Sequence, residues 1–146
     1  MELKNIKEVK NTLLALSLIF GALFSTSGII EILIGFSNSI LNIKIEFPLF
    51  VGDVFGGFAL LAIGVTYFLG VKKAVIGDIK AVSYLFTASI IGLGIGIVSI
   101  LLLLSNAIGF LVGLEDWKNW SLFKDITIYL ILGVLSIIPY KIAKSL

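Results

Sequence analysis

Four long apolar runs, split by short polar breaks, limit what this chain can become more than any other feature. They cover about residues 12–36, 51–70, 81–106 and 126–142, and the third trails on through apolar sequence to Gly113. Crossing a bilayer as a helix takes about 20 apolar residues, with a working range of roughly 17–25. The second and third runs meet that length, and the first meets it with some tilt. The fourth is short unless Lys124 and Lys141 snorkel from its ends. The expected fold is therefore all-α: a single integral membrane domain over residues 1–146, built as a four-helix bundle.

Composition supports the same solvent. The chain is 59% hydrophobic and 14% charged, against roughly 45–50% and 25% in soluble domains. A soluble globule of 146 residues could not hide that much apolar surface; a lipid bilayer does not require it to. All eleven basic residues are lysine. Without arginine, the usual reader of bases and partner of phosphate, and without a basic patch, nucleic acid is not an expected partner. Cysteine and histidine are absent. Disulfides, thiolate or histidine metal sites, and nucleophile systems built on histidine are excluded. No cofactor and no catalytic role are expected.

The stretch TASIIGLGIGIVSILLLLSN, residues 87–106, carries three glycines at alternate positions. A dinucleotide loop needs G-x-G-x-x-G between a strand and a helix, with an acid about 20 residues on. Here the pattern is G-x-G-x-G inside an apolar run with no turn residues. In lipid, small residues serve a different purpose, because they let helix backbones approach closely. Wound on a helix, Ala88, Gly92, Gly96, Ser99 and Asn106 fall on one side. The other spans repeat the device. Ser17, Gly21, Ser25, Gly28 and Glu31 form a stripe in the first. Gly52 and Gly56 make a G-x-x-x-G pair in the second, with Asp53, Gly57 and Gly64 on an adjacent line. Tyr129, Gly133, Ser136 and Tyr140 share a face in the fourth. Helix packing is the expected role of Gly21, Gly28, Gly52, Gly56, Gly92, Gly96 and Gly133. Pro48 helps stop any helix before Val51, and Pro139 falls near the end of the last span, where its cost is small.

Lysines near span ends set orientation. Lys4, Lys7, Lys10, Lys72, Lys73, Lys80, Lys141 and Lys144 gather on one side; Lys44, Lys118 and Lys124 lie on the other. Both termini of a multi-pass cell-membrane protein are thus expected in the cytoplasm. The segment LEDWKNW, with Trp117 and Trp120, would lie at the opposite interface, the depth tryptophan prefers. The lysines and apolar residues of the N-terminus also resemble a signal peptide, but the apolar run continues through Ile34, long enough to remain as a span. The acids Glu115, Asp116 and Asp125 match no calcium-loop spacing, and Lys118 and Lys124 dilute them.

Glu31 and Asp53 are the two acids inside or at the edge of apolar runs. Ionisable residues at such depths are costly and are functional hypotheses by default. Both acids fall at the same level on neighbouring antiparallel helices, near the outer membrane face. They could be hydrated interfacial carboxylates paired with Lys44 or Lys118. They could also form a paired-carboxylate site for an ion or a proton, with Asn106, Ser99 and Tyr129 supplying further oxygens. The expected function is a non-catalytic membrane component or subunit of a larger complex, in contact with lipid and with other membrane subunits or copies of itself. The alternative is a small ion- or proton-coupled transporter using Glu31 and Asp53.

Overall fold

A computed structural model describes residues 6–146. Its helices are α1 (Ile6–Ser39), α2 (Val54–Val75), α3 (Lys80–Val112), a short α4 (Leu122–Asp125), α5 (Ile128–Leu135) and α6 (Ile137–Ser145), with a 3-10 turn at Glu115–Trp117. Among the described residues, α1, α2, α3 and the α5–α6 pair are each long and apolar enough to cross a membrane. The protein is an all-α membrane four-helix bundle with small-residue interfaces. One end carries the start of α1, the end of α6 and the α2–α3 turn, and is called here the terminal end. The other carries the 40–53 and 113–127 connections and is called the loop end.

The antiparallel pair α1–α2 is the closest contact in the bundle. Gly21, Gly28 and Gly35 recur every seven residues along α1. They meet Gly64, Gly57 and Gly52: a Cβ on Gly28 would lie 2.6 Å from the Gly57 carbonyl oxygen, and one on Gly64 would lie 3.1 Å from the Gly21 carbonyl oxygen. A seven-residue repeat keeps one seam facing the partner helix over its whole length. Without a hydrophobic drive in lipid, such backbone proximity replaces oil-and-water burial. Tyr67 fills the core beside this seam, with its ring 5.7 Å from both Phe20 and Phe24.

The G-x-x-x-G reading of Gly52 and Gly56 does not hold as a helix-packing pair. The helix starts at Val54, and Gly52 lies before it with φ +79. Only glycine takes that backbone shape without strain. Gly56 looks away from α1, towards the Tyr129 hydroxyl and the Asp53 carboxylate. The working line on α2 is Gly57 and Gly64.

On the other side, α3 packs against α5 through Gly96 and Gly133. A Cβ on Gly96 would lie 2.8 Å from the Gly133 carbonyl carbon. One turn earlier Gly92 takes Ser136, and at the terminal end Tyr140 stacks on Phe86 at 5.6 Å. Gly113, φ +81, ends α3 with the Leu114 N–H on the Gly109 carbonyl at 3.1 Å. This is a Schellman cap.

Pro139 is not at the end of its span, because helix continues to Ser145. Its ring cannot donate to the Leu135 carbonyl and crowds it. The span therefore breaks at Ser136, whose N–H and hydroxyl both donate to the Leu132 carbonyl, at 3.0 and 2.8 Å. In the α2–α3 turn, Asp78 accepts the Lys80 N–H at 2.9 Å and lies 3.6 Å from Lys73 Nζ. The Lys80 amide, then the lysine charges, hold its carboxyl below the usual carboxylate range.

The seam yields a direct test. Gly28→Ala and Gly96→Ala, which push a methyl group into a facing backbone, should each cost about 1–3 kcal/mol in detergent unfolding followed by circular dichroism. Gly94→Ala, where nothing lies within 4 Å of the added carbon, should cost nothing.

Candidate functional site

Glu31 sits on the buried face of α1 and is fully buried. Its carboxylate accepts three backbone N–H groups from the segment that leads into α2: Val51 at 3.0 Å on one oxygen, and Gly52 and Asp53 at 2.8 Å each on the other. The Asp53 N–H is the N-cap amide of α2, where no carbonyl of a preceding turn is available; the Val51 and Gly52 N–H groups lie in the two residues before it. A carboxylate there also meets the positive end of the helix dipole. Among the described residues, neither Lys44 nor Lys118 pairs with it. Glu31 is thus an anchor, supplied by a neighbouring helix, for the N-cap residue of α2 and the two residues before it, a role that neither sequence expectation included.

Asp53 shares the level of Glu31 and touches it through its backbone N–H, as the sequence suggested. Its side chain points elsewhere and makes no cap hydrogen bond. It faces a cleft of about 820 Å³ between α2, α3 and α5. At the terminal end α2 and α3 come close, and a Cβ on Gly70 would lie 3.2 Å from Tyr84 Cβ. Towards the loop end they leave a space walled by Ala59, Ile91, Ile95, Val98 and Leu102, with the Ser99 hydroxyl among them. Tyr129 crosses this space from α5 to Gly56. Its hydroxyl is buried without a hydrogen-bond partner, within electrostatic reach of both Glu31 and Asp53.

Asn106 belongs to a different cluster. Its amide donates to the Asp125 carboxylate at 2.9 Å and its oxygen accepts Trp117 Nε1 at 3.1 Å. Trp120 Nε1 donates to the same Asp125 oxygen at 2.8 Å. Trp117 also lies flat on Gly109, where a Cβ would approach the indole to 3.0 Å. The segment after Gly113 therefore folds back along the last turns of α3. The Leu49 carbonyl accepts the Ile128 N–H at 2.8 Å and ties the two loop-end connections together. Asp125 links the clusters, since it also lines the cleft.

Of the residues the sequence grouped as one candidate site, the cleft brings together Asp53, Ser99 and Tyr129, while Glu31 turns to the backbone of residues 51–53 and Asn106 to Asp125 and Trp117. The sequence reading missed Asp125, Thr127 and Gly94, which also line the cleft. Gly94 carried a signal: it lies between two packing glycines but on the opposite side of the helix.

Helical spans with small-residue seams, a buried carboxylate anchoring the start of a helix and an apolar cleft at one end define an integral membrane domain. The family model of the MJ0565 integral membrane domain matches residues 7–145, and the chain belongs to that family. It is 68% identical over 140 residues to Uncharacterized protein MJ0565 of Methanocaldococcus jannaschii, covering 96% of this chain and 95% of that relative. No solved structure matches it.

Removing the anchor should be costly and local. Glu31→Ala leaves three N–H groups without their acceptor, each unsatisfied buried group costing about 1–3 kcal/mol. Glu31→Gln retains one acceptor oxygen and should lose less. Asp53→Asn should unfold like the wild type. Detergent melting of the three variants measures the order.

Proposed function

We propose that the protein is a non-catalytic component of the cell membrane that works as a subunit of a larger assembly. The observation that carries this reading is where the polar side chains of the spans are committed. Glu31 holds the start of α2, and Asn106 holds Asp125 and Trp117. Neither is free for chemistry, and with no histidine or cysteine in the chain a reaction would rest on carboxylates and hydroxyls alone. The second support is α3. At 33 residues it rises about 50 Å, well beyond a hydrocarbon core about 30 Å thick. Ile97, Leu101, Leu104, Ile108 and Leu111, spaced four and three apart, are all exposed along its loop-end half. That spacing is the seam a further helix would use.

Ion- or proton-coupled transport is the second reading. Asp53, which faces the cleft without a hydrogen-bonded partner, favours it, and the buried Tyr129 hydroxyl next to it is also unpartnered. Orientation follows from the lysines: both termini and the α2–α3 turn face the cytoplasm.

Mild extraction from the native membrane should bring down a partner protein, or further copies of the chain, in fixed ratio; recovery of lone chains with lipid overturns the subunit reading. Vesicles holding the purified protein should pass ions and protons no faster than empty ones. Flux above that level, lost in Asp53→Asn, would establish transport instead. A reporter fluorescent only in the cytoplasm, fused after Leu146, should light up, and darkness reverses the orientation.

A further inference from the structure

We propose that the cleft between α2, α3 and α5 is a binding site for a lipophilic amine, with the alkyl chain along α3 and the ammonium group on Asp53. The volume of about 820 Å³ lies within the usual range of small-molecule pockets, roughly 300–1,000 Å³. Its walls are the apolar side chains of Ala59, Ile91, Ile95, Val98 and Leu102, and its charged groups are confined to the mouth. That division fits a molecule with one long apolar part and one polar head.

The charge on the head follows from what the mouth already satisfies. Asp125 accepts Asn106 and Trp120, and Lys124 Nζ donates to the Asn119 carbonyl at 2.9 Å. The Asp53 carboxylate has no hydrogen bond and no ion pair among the described residues. Asp53 is exposed at this mouth, and an ammonium group would give it a counter-charge together with N–H donors. The Tyr129 hydroxyl, unpartnered and buried against Gly56, packs behind Asp53. A phosphate or carboxylate head would instead meet Asp53 as a like charge.

The floor of the cleft gives an independent indication. Gly92 and Gly96 are small because Ser136 and Gly133 press against them. Gly94 has nothing within 4 Å of a built Cβ and opens onto the cleft. Glycine inside a helix is unfavourable unless something needs the space, and here the space belongs to the cleft.

The inference is independent of the subunit reading and is tested apart from it. Radiolabelled dodecylamine is titrated against the full chain in neutral-detergent micelles, with partition into empty micelles subtracted. One saturable site per chain is expected. Asp53→Asn should weaken it at least tenfold, and dodecanol and dodecanoate should compete at least tenfold less well than unlabelled dodecylamine. Gly94→Trp should abolish binding with the helical circular dichroism retained; Gly94→Leu, a smaller plug, serves if the tryptophan variant fails to fold. No saturable binding, equal competition by dodecanol, or affinity unchanged in Asp53→Asn or in the folded Gly94 variant overturns the proposal.

Discussion

A helix that starts inside an apolar solvent has N–H groups that neither a preceding turn nor water can satisfy. Glu31, on the neighbouring helix, meets that need at the Asp53 N-cap and at Val51 and Gly52 just before it. Three N–H groups converge on one carboxylate at 2.8–3.0 Å, and this fixes how α1 and α2 slide relative to each other. The glycine seam depends on that register. Gly35, Gly28 and Gly21 meet Gly52, Gly57 and Gly64 only when the helices are aligned as Glu31 aligns them, since a displacement of one residue would carry a side chain into a backbone. The buried charge is thereby a registry device: its worth lies in selecting one alignment among several that apolar packing alone would tolerate.

The loop end follows the same economy of polar groups by other means. Two indole N–H groups, one side-chain amide and one carboxylate satisfy one another between α3 and the segment that follows it. This network pulls residues 115–125 back along α3 and brings Asp125 to the edge of the cleft. Of the two carboxylates that line the cleft, Asp125 is hydrogen-bonded and Asp53 has no hydrogen bond among the described residues. The unpaired group lies on the cleft side, whereas the paired ones tie the scaffold together. The division between structural and available polar groups is therefore spatial, and the proposal of a binding role rests on it.

Much of this was legible in the chain. The spans, the α1 stripe from Ser17 to Glu31 and the Gly92–Gly96 and Gly133–Ser136 faces follow from helical spacing and side-chain size, which are local properties. The α2 stripe was misread for a definite reason. Counting the helix from Val51 put Gly52 and Gly56 on its packing face, but the backbone of residues 51–53 turns to Glu31 and the helix begins at Val54. The seven-residue spacing of Gly21, Gly28 and Gly35, matched by Gly57 and Gly64, was present in the sequence and marks the true seam. The partners of Asn106 were not legible, because they depend on how sharply the chain reverses after Gly113. Pro139 was underweighted because the helix runs past the last strongly apolar residue to Ser145.

The break at Ser136 bears on the cleft itself. An unbroken last span would be a single rod lying along α3 with one direction. Instead Pro139 divides it, and the two parts answer to different neighbours. The part after the break follows Phe86 and the first half of α3; the part before it follows Gly96, where two backbones meet with no side chain between them. At that contact α5 is held tightly against α3, yet its beginning, at Ile128 and Tyr129, reaches across to Leu49 and Gly56 on the α2 side. The last span thus contributes to the bundle at one end through its packing on Phe86 and at the other through the Tyr129 wall of the cleft.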